Sequence, residues 1–287
     1  KGMPVEVAVV SLSDERAIRA ALKDVDVIIH LAGAESQGRN ANLLSVDMKG
    51  TENLARVAAD AGIKRFITVS HIGASRASGF PVFKAKGIAE EHIRRSGVPY
   101  TIFRTSVVFG PEDHFTTNLA RLLQMAPGFF PLPGSTRAVI QPLWVEDLAT
   151  VLLWSLDNEA TLNHIYEIGG SEYFTVRQIL EILMQVTRRP RLLFEIHPVF
   201  LRALIVTLES FIPNYPASSF WLDYISINRT APVDNLPRTF GLMPARFTYR
   251  LDYLKRTPWY SAAWNRISDR TSRGTRRILE AFRTFRP

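Results

Sequence analysis

Ser70 and His71 are adjacent side chains of types that could do chemistry. They follow the apolar run at residues 66–69, so a strand there would present them at its carboxyl end. A hydroxyl can hydrogen-bond a ligand, and an imidazole can pass a proton near neutral pH. A serine that shapes a turn and a histidine that faces solvent are the ordinary alternatives. We therefore take Ser70 as a candidate ligand contact and His71 as a candidate substrate contact.

The sequence gives little support for a disulfide, a metal site or a cysteine nucleophile. The sequence has no cysteine, which excludes disulfides, thiolate metal ligands and a cysteine nucleophile. Its six histidines are scattered without the spacing of metal ligands, so we expect no metal site. A chain without cysteine suits a reducing compartment, so we expect a cytoplasmic location. This expectation includes peripheral attachment to the cytoplasmic face of the membrane.

The first half of the chain alternates short apolar runs with amphipathic stretches. The alternation predicts strands at 5–12, 25–32, 65–70 and 100–109, and helices at 14–22, 43–61 and 84–95. The runs at 25–32 and 65–70 are apolar without strict alternation, as in strands covered on both faces. Ser13 is the expected N-cap of the first helix, and Gly62 and Gly97 stand where helices should end. The pattern predicts an α/β fold with a doubly wound parallel sheet of the Rossmann-like type.

Ligands of such sheets bind in the crevice outside the carboxyl ends of the strands. The candidate cofactor contacts at those ends are Ser11, Leu12, Leu31, Ala32, Gly33, Ser70, Thr105, Ser106 and Val107. Small residues there let backbone groups approach a ligand closely. Ordinary turns use the same residue types, so residue identity leaves both interpretations open.

The second half divides into two further regions. Residues 171–254 are predicted as a smaller substrate or lid region after a nucleotide-binding domain at 1–170. An apolar stretch at 192–213 is interrupted by charges and prolines, too often to span a bilayer, and could be core or a docking surface. Residues 255–287 are predicted as a basic amphipathic tail.

The net charge of +8 is concentrated in that tail. Residues 255–287 hold nine Lys or Arg against two acidic residues, whereas residues 1–254 are nearly neutral. A nucleic-acid-binding domain would spread its basic residues over a folded face, so we expect no nucleic-acid partner. A basic helix with one apolar stripe suits an anionic membrane surface or an acidic protein partner. The alternative is a helix folded back on its own domain.

Several stretches together resemble a known family. They are residues 26–33, 49–54, 62–70 and 103–111, and their order and spacing are similar to those of extended and atypical short-chain dehydrogenases. Residues 109–115 and 222–244 are most similar to the NAD(P)H-binding accessory subunits of respiratory complex I and their bacterial relatives. The resemblance implies a Rossmann-like fold and an NAD(P)(H) cofactor.

The sequence departs from that family at the cofactor phosphates. Such proteins open with a strand, a glycine-rich turn and a helix whose N-terminus holds the pyrophosphate, and this unit is not in the sequence given. We expect it to be cut from the sequence rather than lost. The family's acidic residue near the adenine is Ser11 here, and Thr105 replaces a proline, so the choice between NAD and NADP stays open.

A second departure concerns catalysis. Active members carry a Tyr four residues before a Lys, and the Tyr passes a proton while hydride moves at the nicotinamide. Lys86 matches the lysine and is a further candidate cofactor contact, to the ribose hydroxyls, but Val82 replaces the Tyr. Lys86 and Ser70 are therefore remnants of the family's catalytic site. By family position, His114 and Arg137 join His71 as candidate substrate contacts, with a solvated surface position as the alternative for both.

Two functions follow from the resemblance. The first is a non-catalytic or weakly catalytic NAD(P)(H)-binding accessory or assembly subunit of a larger, membrane-associated complex. The second is an active NAD(P)H-dependent reductase or isomerase on a quinone, isoprenoid or sugar-like small molecule, with His71 or a substrate hydroxyl replacing the tyrosine. Whether the chain is an enzyme is left open by the sequence.

Overall fold

The computed structural model describes residues 5–35, 37, 41–134, 138–212 and 215–256. In chain order the strands are β1 (Val27–His30), β2 (Arg65–His71), β3 (Tyr100–Thr105), β4 (Val108–Phe109), β5 (Phe129–Pro133), β6 (Val139–Ile140), β7 (Leu143–Trp144), β8 (His164–Ile168), β9 (Phe174–Thr175) and β10 (Leu192–Ile196). The α-helices are α1 (Glu15–Ala21), α2 (Thr51–Asp60), α3 (Pro81–Arg95), α4 (Thr116–Met125), α5 (Val145–Leu156), α6 (Val176–Thr187), α7 (Pro198–Phe211), α8 (Ser219–Tyr224) and α9 (Asn235–Phe240). A π-helical segment, Leu44–Gly50, leads into α2.

The central sheet of the described chain is parallel, in the order β1-β2-β3-β8. Both of its faces are covered by helices. On one face α1, α2 and α3 pack around Val57, Phe66 and Ile93, and on the other α5 and α9 pack around Phe103 and Val151. Burial on both faces explains the continuous apolar runs. The predicted Rossmann-like α/β fold is confirmed.

The predicted first strand is wrong. Residues 5–12 pair with no strand in the described chain, and Val5, Val7 and Val9 are largely exposed. Valine side chains suit a pleated, half-buried sheet surface, but a strand persists only where a neighbour pairs with its amides and carbonyls. The first helix begins one residue later than expected, because Asp14 rather than Ser13 caps it through the amides of Arg16 and Ala17.

Other predicted elements hold with changed boundaries. Gly62 and Gly97 have positive φ, as expected where helices release the chain. The predicted strand at 100–109 divides into two: β3 pairs with β8 as far as Thr105, whereas β4 pairs with β7. The predicted helix at 43–61 is the π-helical segment followed by α2.

The second half of the molecule is built around its own core. Phe115, Leu123, Ile179 and Leu183 are buried there with α8 against them. Strand β5 pairs with β10, and β6 pairs with β9, so packing crosses the predicted boundary at residue 170.

The apolar stretch at 192–213 forms β10 and α7, whose Leu201 and Ile205 are buried while Phe200 and Leu204 are exposed. Among the described residues, no helix combines the length and the apolarity that crossing a bilayer requires. The predicted tail helix lies in residues 257–287, outside the described part of the chain.

Candidate functional site

Lys86 is the centre of a buried charge cluster at the carboxyl ends of β1 and β2. Helix α3 starts with Pro81 in its first turn, which fixes the helix start, and directs Lys86 inward. The Lys86 ammonium lies 2.8 Å from an Asp47 carboxylate oxygen and 3.4 Å from one of Glu35. Burial acts to lower the pKa of Lys86, but the two carboxylates outweigh it and raise that pKa. Lys86 therefore stays charged and paired.

Glu35 links this lysine to His71. Its other carboxylate oxygen is 3.5 Å from Nε2 of His71. Burial acts to raise the pKa of Glu35, but the nearby His71 and the charge of Lys86 lower it to about 2. The pKa of His71 is lowered, chiefly by burial. The imidazole is enclosed by the rings of Phe83, Phe220 and Tyr224, so His71 does not face solvent.

The loop after β1 brings backbone to this cluster. Leu31 and Ala32 are exposed, and Gly33 follows them. A Cβ at Gly33 would collide with the Glu35 carboxylate and come within 2.6 Å of the Lys86 nitrogen, so a larger residue there would push aside the ends of these two side chains. Ser70 is buried, and its hydroxyl has no hydrogen-bond partner within the described chain. An exposed small-residue loop beside an unpaired hydroxyl and a held lysine fits the ribose and backbone contacts of a dinucleotide.

Thr105, Ser106 and Val107 lie beside His71 but turn inward. All three are buried. The Thr105 hydroxyl donates to the carbonyl of Ser70, and the Ser106 hydroxyl donates to the carbonyl of Arg229. The two hydroxyls are used in internal hydrogen bonds and the Val107 side chain is in the apolar core, so any ligand contact from this segment would come through other atoms.

Val82 occupies the position at which the resemblance places a tyrosine. It is buried in the first turn of α3, in the same apolar core as Phe83 and Val107. An alkyl group there has no proton to transfer. The pair of Val82 and Lys86 therefore lacks the acid of a dehydrogenase site.

The remaining predicted site residues lie apart from the cluster. Leu12 packs on Gly50 and its carbonyl accepts from Asn53 at the start of α2, while Ser11 is exposed and bonds Ser13. His114 lines an apolar cavity in the second half of the molecule. Arg137 lies outside the described residues.

Four residues of the site were not predicted. Glu35 and Asp47 could have been found, because each is an acidic residue in the segment that joins the end of β1 to α2. Tyr224 and Arg229 gave no local signal. Arg229 is buried, its guanidinium carbon lies 3.6 Å from the centre of the Phe83 ring, and its Nη1 donates to the carbonyl of Ile72.

This fold and this strand-end site define a Rossmann-type α/β protein with the architecture of short-chain dehydrogenases and epimerases. Residues 2–121 match the family model described as NAD(P)H-binding. The cofactor class predicted from the sequence, NAD(P)(H), is confirmed at that level.

The curated relatives narrow the comparison. The chain is 33% identical over 177 residues to NADH dehydrogenase [ubiquinone] 1 alpha subcomplex subunit 9, mitochondrial, of Arabidopsis thaliana, covering 61% of this chain and 44% of the relative. The Mus musculus protein of that name is 25% identical over 225 residues, covering 77% and 58%. The chain thus spans about half the length of the curated relatives it matches.

A solved structure shares the fold. The triphenylmethane reductase of Citrobacter sp., complexed with NADP(H), superposes with a TM-score of 0.68 at 18% identity, covering 88% of this chain and 83% of that one. The resemblance drawn from the sequence, to short-chain dehydrogenase-like proteins and to the NADH dehydrogenase subunit, is confirmed by these similarities.

Proposed function

We propose that this chain binds NAD(P)(H) at the strand-end crevice and serves as a non-catalytic accessory subunit of a larger, membrane-associated complex. The observation that carries the proposal is Val82, a buried alkyl side chain at the position of the proton donor. The comparisons with NADH dehydrogenase subunits support the second part of it.

The nucleotide contacts fall on backbone and on two side chains. Leu31, Ala32 and Gly33 offer backbone groups along the loop after β1, and the Ser70 hydroxyl is free to bond the ligand. Lys86 would face the ribose while Asp47 and Glu35 hold its charge. Ser11, Leu12 and the segment 105–107 complete the proposed set.

Turnover lacks a proton donor in this arrangement. A bound nicotinamide supplies hydride chemistry, and the usual reaction pairs it with a positioned acid or base. Val82 cannot fill that role. His71 is the nearest alternative, but its lowered pKa leaves it neutral near pH 7, and its Nε2 faces Glu35. The cluster therefore suits holding a ligand better than protonating one.

Attachment to a complex is proposed for residues 255–287. Their nine basic residues against two acidic ones would favour an anionic membrane surface or an acidic protein. In this proposal the bound nucleotide stabilises the α/β domain, and the basic tail attaches the protein to its partner surface.

The test is to purify the native protein, denature it and analyse the small molecules that it releases. Mass spectrometry of the released small molecules should identify NAD, NADP or a reduced form in near-stoichiometric amount. The same preparation should not oxidise NADPH with short-chain quinones, carbonyl compounds or nucleotide sugars. Absence of nucleotide, together with no binding of added NADPH, would refute the binding proposal. Sustained NADPH oxidation that is lost in His71→Gln would instead establish the reductase or isomerase alternative.

A further inference from the structure

A cavity of about 450 Å³ lies in the second half of the molecule, separate from the Lys86 cluster. Its walls come from α4, β5, α6, β10, α7 and α8. The lining is apolar almost throughout, as in Leu122, Phe130, Leu180, Phe194 and Trp221. Neither the nucleotide site nor the proposed docking tail uses these residues.

The apolar lining indicates which kind of molecule the cavity suits. Water needs two to four polar partners to be held in a cavity, and these walls offer few. A cavity left empty forfeits the contacts of the side chains around it. Its volume lies within the range of small-molecule sites, roughly 300–1,000 Å³. An apolar small molecule satisfies these conditions together.

The cavity has the volume of a small-molecule site. A flexible hydrocarbon chain can fill the same space in a folded or bent form.

The mouth of the cavity is apolar as well. Met125, Phe129, Leu204 and Ile212 line it and are each 41–54% exposed. A rim of exposed apolar side chains favours a ligand that arrives from a lipid phase. The polar side chains of the lining include Asn118, Ser218 and the exposed His114, which suit a small polar head at the surface.

We propose that this cavity binds the hydrocarbon chain of one amphipathic lipid, with its polar head near His114, Asn118 and Ser218. The site is independent of the nucleotide. Helix α8 separates the two, with Trp221 lining the cavity and Tyr224 against His71. A protein that binds lipid here would do so whether or not it binds NAD(P)(H).

Leu204 and Val206 of α7 form a matched pair for the test. Leu204 lines the cavity and is 43% exposed, whereas Val206 is outside the lining and 38% exposed. Both tolerate a charge at the surface, but only Leu204→Glu places a carboxylate at the mouth. Full-length protein is titrated with cis-parinaric acid, a fluorescent C18 fatty acid, and bound probe is then competed with palmitate or with geranylgeraniol.

We expect saturable binding at one site per chain. Leu204→Glu should weaken it at least about tenfold, because a carboxylate at an apolar mouth must be desolvated, while Val206→Glu stays within about twofold of the parent. Competition by palmitate alone identifies an acyl ligand, and competition by geranylgeraniol alone identifies an isoprenoid. Ala217→Trp, which adds a ring at a second lining position, should weaken binding in the same way and replaces Leu204→Glu should that variant not fold.

Three results would overturn the lipid site. They are the absence of saturable binding, equal effects of the Leu204 and Val206 variants, and binding that appears only after residues 257–287 are removed. The last result would mean that the chain's own tail fills the cavity. NADPH binding is measured on every variant, so failure of the nucleotide proposal is recognised separately.

Discussion

The charge balance of the strand-end site rests on Lys86, which is buried between Asp47 and Glu35. Lys86→Met would leave the buried Asp47 carboxylate and the partly buried Glu35 carboxylate without their cation. Breaking a buried pair in this way costs about 3–5 kcal/mol of unfolding free energy. Chemical denaturation at pH 7 should show that loss. Lys84→Met, an exposed position on the same helix, is the control and should change the stability by less than about 0.5 kcal/mol. Equal stability of the two variants would contradict the buried pairing.

Val82→Tyr should not restore a dehydrogenase. Val82 is buried in the core beside Phe83, so a phenol ring would overpack that core and cost roughly 1–3 kcal/mol. The Lys86 ammonium is already held by carboxylates rather than aimed at a phenol. We expect no NADPH oxidation above the parent level and a lower melting temperature. A large gain in hydride transfer from this single change would overturn the account of the site.

His30 makes the fold sensitive to mild acid. Burial, reinforced by the charge of Lys86, lowers its pKa from 6.5 to about 4. The unfolded chain takes up a proton near pH 6.5 and the folded chain only near pH 4. The contribution of neutral His30 is therefore complete above pH 6.5 and lost as pH falls to about 4.

Melting curves between pH 7 and 4 test that contribution. His30→Gln removes the hydrogen bond with Thr51 and should lower the melting temperature at pH 7. The same variant should lose less stability than the parent on acidification, because Gln does not titrate. His164→Gln, at an exposed position, should keep the parent's slope. Parallel slopes for His30→Gln and the parent would show that His30 is not the group responsible.

At the scale of elements, Gly87 sets how closely α3 packs on the loop after β2. A Cβ at Gly87 would come within 2.5 Å of the Ser75 carbonyl carbon. That loop cannot retreat easily, since the Ser75 amide donates to the carbonyl of Phe83. Gly87→Ala should therefore destabilise the protein by at least about 1 kcal/mol, although alanine favours a helix by a similar amount. Gly79→Ala meets no atom within 4 Å and is the matched control. A stabilised Gly87→Ala variant would refute the tight contact.

Most of the sheet could be predicted because its strands are buried on both faces. Continuous apolar runs located β1, β2 and β3 within a few residues. The strand predicted at 5–12 failed, since sequence shows a preference for extended backbone but not the neighbour that must pair with it. The boundary at residue 170 follows the extent of the family resemblance, and the pairing of β5 with β10 across it is a contact that the local sequence does not show.

The candidate site was predictable only in its local parts. The loop at 31–33, Ser70 and Lys86 lie near strand ends or on the helix that follows, so their convergence follows from the fold. Tyr224 and Arg229 reach the site from the far end of the chain, through packing on Phe83 and a bond to the carbonyl of Ile72. Such contacts depend on tertiary packing, which leaves no pattern in the nearby sequence.

At the scale of the whole molecule, the basic charge is concentrated at one end of the chain. Residues up to 254 are nearly neutral, and the buried Leu251 and Leu254 tie the end of the described chain to the core. The excess of basic residues begins at Lys255. A cut after Arg256 therefore keeps these core contacts and removes most of the basic charge.

Deletion of residues 257–287 tests whether that charge docks the protein. The shortened chain should bind NADPH as the full chain does, because every described residue of the proposed nucleotide site is retained. In a flotation assay with vesicles of phosphatidylcholine and phosphatidylserine, the full chain should float at low salt, since each basic residue near an anionic surface contributes about 1 kcal/mol. The shortened chain should stay in the soluble fraction, and added salt should release the full chain by screening the same charges. Equal flotation of the two chains would place membrane binding on the described residues instead, with the apolar rim around Phe129 and Leu204 as the surface to examine.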